Sequence, residues 1–243
     1  MPRIPLKATL TVSSLLACAL SACGSQGVSS TLQDVQLFEV RFTVKGEQVN
    51  AAAIPLQMES SPVQPEPVIQ WTSLNGSGFK DASNVLHVSG TFTLKNASGR
   101  AFKNLWVVPI NLDDLDQDLN NNATFPTIGP TPYRVPRYFD GTDASEEAYT
   151  LTPQRGKLRD GTGSVVEDPQ STPFDSLFST QVKFIAPAGL KANVYGNHGW
   201  TLGPLGAAGE MTVTLGTRRN LPTSPKQNIE GFTLMVGIIE DRR

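Results

Sequence analysis

The chain has 243 residues, a formal charge of −2 and a charged fraction of only 17%, against about 25% in ordinary soluble domains. Its only cysteines are Cys18 and Cys23, and its only histidines are His87 and His198. That inventory leaves no Cys/His zinc site of four ligands and no disulfide framework beyond residue 23, and the near-neutral balance lacks the basic footprint of a nucleic-acid binder.

The first residues carry the strongest signal. Arg3 and Lys7 precede an apolar run over residues 8–20, and Ser21 and Ala22 separate that run from Cys23. This three-part order is that of a secretory leader. The run is shorter than the ~20 residues of a membrane-spanning helix. The ending Leu20-Ser21-Ala22-Cys23 resembles the lipobox of bacterial lipoproteins. The resemblance implies a signal peptide over 1–22 that is cut before Cys23. It also implies a diacylglyceryl group on the Cys23 thiol and acylation of the new amino group. Two or more lipid signals anchor stably where one binds only marginally.

In the same family an aspartate after the cysteine retains the protein at the inner membrane. Gly24 stands there instead, which implies the outer membrane or the cell surface. Maturation then removes Arg3 and Lys7, so basic residues fall from 20 to 18 while acidic residues stay at 22. The charge becomes −4, and no thiol remains for redox or nucleophilic chemistry. The expected partners are the membrane, through the anchor, and another envelope protein or a surface polymer.

Residues 23–31 read as the lipidated, flexible tether, because 24–31 are small and polar. A domain over 32–243 follows. In 35–44, Phe38, Val40, Phe42 and Val44 fall at every second position, with Glu39, Arg41 and Thr43 between them. That period predicts a strand with one buried face. Residues 84–95 repeat the pattern, with Leu86, Val88, Phe92 and Leu94 on one side and His87, Ser89, Thr91 and Thr93 on the other. A turn-forming stretch, Lys95-Asn96-Ala97-Ser98-Gly99-Arg100, leads into 102–110, which is apolar on both faces. These two runs predict a β-hairpin whose second strand is central. Weaker strands are expected at 49–58, 68–74, 181–185, 191–195 and 211–215, and a strong one at 232–239.

No convincing amphipathic helix is found, and Gly and Pro supply 21 and 18 residues, above the usual ~12% of a chain together. Many short strands with such connections predict an all-β fold, a single β-sandwich. Residues 111–176 interrupt the strand pattern with Asp, Asn, Thr, Pro and Gly, and they read as a long, loop-rich insertion. The stretch 85–110 resembles a hairpin of bacterial immunoglobulin-like surface domains, and 204–215 resembles a late strand of theirs. The resemblance implies an immunoglobulin-like sandwich. The Cys…Trp…Cys signature of antibody domains is absent.

Few residues offer chemistry. Within 111–122, oxygen-bearing side chains alternate at Asp114, Asp116, Asp118 and Asn120, a candidate calcium loop since calcium takes six to eight oxygen ligands. The run departs from an EF-hand, with no glycine at the turn and Phe125 where the bidentate Glu belongs. The competing reading is a solvated acidic loop with Asx turns. No other cofactor is expected. His87 and His198 are the candidate general bases, both expected at the surface, and His198 could serve a hydrolase. No Gly-x-Ser-x-Gly elbow, His-Glu-x-x-His helix or phosphate loop accompanies them. The carboxylate pairs Glu146-Glu147 and Glu167-Asp168 are sequence neighbours, which point to opposite faces of a strand. Trp200, with Trp71 and the tyrosines of 111–176, could form a sugar-stacking platform, whereas Trp106 reads as core. Three Asn-x-Ser/Thr sequons start at Asn75, Asn96 and Asn122 and read as turn chemistry. Together these features predict a non-catalytic, lipid-anchored envelope protein. The alternatives are a carbohydrate- or calcium-binding module acting through 111–176, and the hydrolase using His198.

Overall fold

A computed structural model describes residues 36–56, 68–116, 131–177, 189–221 and 229–240. Cys23, the leader, the tether, Asp118, Asn120 and the expected strand at 181–185 lie outside them. The chain forms β1 (Gln36–Lys45) and β2 (Gln48–Pro55), then β3 (Ile69–Lys80) and β4 (Val85–Asn96), then the long β5 (Phe102–Asp114). Within 111–176 follow β6 (Tyr133–Tyr138), a 3₁₀ helix (Ser145–Thr150), β7 (Thr152–Gln154), β8 (Lys157–Arg159), β9 (Val165–Glu167) and β10 (Phe174–Ser176). The last strands are β11 (Leu190–Val194), β12 (His198–Leu205), β13 (Glu210–Asn220) and β14 (Ile229–Glu240).

All pairings among the described residues are antiparallel. One sheet runs β10-β12-β5-β14-β1-β2, with β11 added to β5 and β6 to β14; the other runs β3-β4-β13-β7, and β8-β9 form a separate ribbon. The all-β expectation holds. Alternation buries Phe38, Val40, Phe42 and Val44 of β1 against Phe232, Leu234, Val236 and Ile238 of β14 and against Val88, Phe92 and Leu94 of β4. Each large side chain so buried contributes roughly 1.5–3 kcal/mol. Aromatic contacts stitch the sheets together: Trp71 of β3 lies 5.2 Å from Phe38 of β1 and 5.3 Å from Phe92 of β4.

The larger sheet also buries its outer face. Leu37, Trp106, Val108, Ile110, Leu112, Met235 and Ile239 form a second apolar cluster with Leu190, Ala192 and Leu177. This is why β5 reads as apolar on both faces.

The expected hairpin of residues 84–95 with 102–110 does not form. β4 pairs with β3 and β13, whereas β5 pairs with β11, β12 and β14. The intervening turn carries the chain from one sheet to the other, and Asn96 organises the crossing. Fully buried, Asn96 donates from Nδ2 to the carbonyls of Arg100 and Gly206, each at 2.7 Å. Its Oδ1 accepts from the N–H and hydroxyl of Ser98. Gly206 lies in the turn between β12 and β13, which also changes sheets, so one side chain ties both crossings.

Segment 111–176 is loop-rich and woven into both sheets. β6 adds to β14, β7 to β13 and β10 to β12. Tyr133, Ala144, Ala148 and Leu151 join the main core. The Arg219 guanidinium, buried beneath this segment, pairs with Glu147 at 3.3 Å.

Candidate functional site

The acidic run begins at the end of β5. The Asp113 carboxylate accepts hydrogen bonds from the side-chain amides of Asn111 and Asn193. Asp114 accepts the backbone N–H of Asp116 at 3.1 Å, an Asx-type turn. Among the described residues no group of three or more His, Cys, Asp or Glu side chains is placed to hold a metal ion. The carboxylate pairs are engaged separately. Glu147 meets Arg219, Glu167 meets Arg155 and Lys157 at 3.4 and 3.3 Å, and Asp168 accepts the N–H of Gln170.

His87 departs from the surface position expected of it. It is 7% exposed and contacted at both ring nitrogens, by Asp81 Oδ2 at 3.0 Å and Gln154 Nε2 at 3.2 Å. Phe79 stacks on the ring at 5.1 Å. With the Gln154 amide donating to Nδ1, Nε2 carries the proton and donates to Asp81. Burial opposes ionisation of Asp81. Hydrogen bonds from His87 and from the N–H groups of Val85 and Ser83 outweigh it and hold the carboxyl below its ordinary range. The group is a closed polar cluster that fastens β7 to the β3–β4 turn.

His198 is exposed, as expected. It begins β12, directly opposite Ser176 of the edge strand β10. Leu177 N–H donates to Asn197 and Thr201 N–H to Pro173, so Ser176 and His198 are a non-hydrogen-bonded pair, whose side chains approach most closely. Ser176 Oγ lies 2.9 Å from His198 Nε2, and His198 Nδ1 lies against the Gly196 carbonyl oxygen. A carbonyl only accepts, so Nδ1 bears the proton and Nε2 is left as acceptor for the serine hydroxyl. Gly196 and Asn197 hold left-handed φ values of +62° and +53°, conformations that glycine and asparagine tolerate best. That turn brings the carbonyl onto the ring. Phe174 stacks on the imidazole at 5.8 Å with a 24° tilt between planes. Gly199 permits the next step, because a Cβ there would meet Val108 Cγ1 at 2.8 Å and the Val107 carbonyl at 2.9 Å.

The described residues form no exposed tryptophan platform, and Trp71 is half-buried between Phe38 and Phe92. Trp200 and Trp106 are buried, and Trp200 Nε1 donates to the Gln154 carbonyl at 3.1 Å. Among the described residues the exposed aromatics are Phe139 and Tyr149, each more than 60% accessible. Both lie where segment 111–176 closes the end of the sandwich shared with the β1–β2 turn. Asn96, the second sequon, spends both amide hydrogens on carbonyls, in keeping with its reading as turn chemistry.

Ser176 was missed from sequence because a three-residue strand has no readable period, and nothing in the spacing of Ser176 and His198 announces that they face each other. In comparisons with known proteins, no family model matches the sequence, and neither a curated protein nor a solved structure matches it.

Proposed function

We infer that the chain is a lipid-anchored cell-envelope protein of the outer membrane or cell surface, whose ectodomain is an accessory, binding or structural subunit. The observation that carries this reading is the apolar run ending in Leu20-Ser21-Ala22-Cys23. The described fold is compatible with it. β1 starts and β14 ends at the same end of the sandwich, since Gln36 registers with Ile238. Phe139 and Tyr149 lie at the other end, and this reading offers that end to partners. An immunoglobulin-like sandwich is part of the proposal, supported by the sheet-changing connections after β4 and β12.

The test is metabolic labelling with a palmitate analogue followed by membrane fractionation. The wild type is expected to carry the label and to partition with membranes, and Cys23→Ser to lose both. A Cys23→Ser protein that stays in the membrane fraction would sink the anchor. A second reading, a carbohydrate-binding module using 111–176, is favoured by the exposure of Phe139 and Tyr149, because aromatic rings offer flat apolar faces with polar edges. Alanine at both positions is expected to abolish retention on an envelope-polysaccharide column if that reading holds. Calcium at Asp114, Asp116, Asp118 and Asn120 is tested by calorimetry, where absence of heat removes it.

A further inference from the structure

The geometry points to Ser176 as a nucleophile activated by His198, in an exposed acyl-transfer site at an edge of the larger sheet that is open among the described residues. Three features support it together. The first is the order nucleophile, base, orienting group. Ser176 Oγ lies 2.9 Å from Nε2, and the opposite ring nitrogen is held by the Gly196 carbonyl, so a backbone oxygen takes the place an aspartate holds in a Ser-His-Asp triad. Asp175 is not that third group. It alternates to the other face of β10, and its carboxylate accepts the Thr201 hydroxyl at 3.3 Å.

The second feature is rigidity. The stacked Phe174 ring and the left-handed Gly196-Asn197 turn hold the imidazole against rotation.

The third is the backbone. Residues 173 and 177 point their polar groups toward β12. Alternation therefore turns the N–H groups of Phe174 and Ser176 to the outer edge of β10, the end strand of its sheet among the described residues. The N–H of Ser176 thus stands in the sheet plane beside its own Oγ. It is a donor for the oxygen that gains charge when a carbonyl is attacked. The same edge can receive an extended acyl or peptide ester by strand addition.

The step balances without a further reagent. Ser176 Oγ bonds to the ester carbonyl carbon as its proton passes to Nε2. The carbonyl C–O bond to the alcohol breaks, and the leaving oxygen takes the proton from Nε2. Water then attacks the acyl-serine by the same route, giving acid and alcohol.

The experiment is a time course of the folded, full-length protein with a fluorophosphonate probe, read by intact mass and peptide mapping. Ser176 Oγ is expected to displace fluoride, giving one adduct on Ser176. Ser176→Ala should abolish it. His198→Ala should slow it by about 100-fold or more, the scale of general-base assistance, with added imidazole restoring part of the rate. His198→Gln serves the same purpose should the alanine variant melt at lower temperature. No adduct on folded wild type, an adduct at another residue, or equal rates in wild type and folded His198 variants would each overturn the proposal. Labelling at Ser176 leaves the anchor untouched, so this outcome is independent of the Cys23→Ser result.

Discussion

The Tyr133 phenol meets the Thr217 hydroxyl across the interior of the sandwich, joining β6 of one sheet to β13 of the other. Thr217 Oγ1 in turn donates to the Thr152 carbonyl at 3.1 Å, so the phenol is the donor to Thr217. Burial pushes the Tyr133 hydroxyl far above its ordinary range, so it stays protonated. Removing the donor differs from removing the acceptor. Tyr133→Phe leaves Thr217 donating to Thr152 and should cost about 1 kcal/mol, the net worth of an ordinary hydrogen bond. Thr217→Val strands the buried phenol and should cost roughly 1–3 kcal/mol. Urea denaturation checks the order. Equal losses, or a larger loss for Tyr133→Phe, would contradict it.

That pin also shows where sequence reading reached its limit. The main strands were legible, because Phe38 to Val44 and Leu86 to Leu94 repeat with the pleat and one face of each is buried. Partners were not. Nothing local distinguishes a turn that folds β5 back on β4 from one that sends it to the opposite sheet, since the choice is made by Asn96 bonding to Gly206, far along the chain. Segment 111–176 hid its strands because three residues carry no period, and Tyr133 and Ala148 look like loop residues until Thr217 and Leu151 surround them. The alternation puts His87 on the polar face of β4. Its burial comes from Gln154, which the sequence sets 67 positions away.

Asn96 should be among the least replaceable polar residues. Asn96→Asp keeps the acceptor for Ser98 but sets an oxygen against the carbonyls of Arg100 and Gly206. Asn96→Ala leaves those carbonyls and the Ser98 N–H without their partner. Either change should cost about 2–4 kcal/mol, two or more buried groups at roughly 1–3 kcal/mol each with partial recovery by water. The larger loss is expected for aspartate, because it also buries a charge. Thermal melts of both variants test this. Near-wild-type stability for either would mean that Asn96 does not hold the crossings.

Arg219 and Glu147 make an asymmetric pair, with 2% and 23% of their side chains exposed. Burial pushes the guanidinium below its ordinary range, and Glu147 opposes that shift. Taking away Glu147 deprives a buried cation of the Glu147 carboxylate, whereas taking away Arg219 leaves a carboxylate that can turn to water. Glu147→Ala should therefore cost about 3 kcal/mol, at the low end for broken buried pairs. Arg219→Met, which fills similar volume without charge, should cost less. Adding Arg219→Met to Glu147→Ala should recover part of the loss. A double variant no more stable than Glu147→Ala alone would contradict the argument.

The Asp81–His87 contact makes a pH-dependent prediction with a definite sign. Hydrogen bonds from His87, Val85 and Ser83 hold the Asp81 carboxyl below its ordinary range despite burial, so the folded state binds that proton less readily than the unfolded chain. Stability from the ionised group is then complete above the unfolded value near pH 4 and is lost as pH falls through the lower folded value. Asp81→Asn keeps one oxygen for the backbone N–H groups but turns a donor toward Nε2. His87 must then shift its proton to Nδ1, and Gln154 must turn its amide to accept it. The variant should lose about 1.5–3 kcal/mol at pH 7, the cost of one charge-assisted bond. Its deficit should shrink as the pH drops below about 4, where the wild type loses the same contribution. Urea midpoints from pH 2.5 to 7 measure the gap between the two proteins. A gap that stays constant across that range would show that Asp81 is not ionised against His87 in the folded protein.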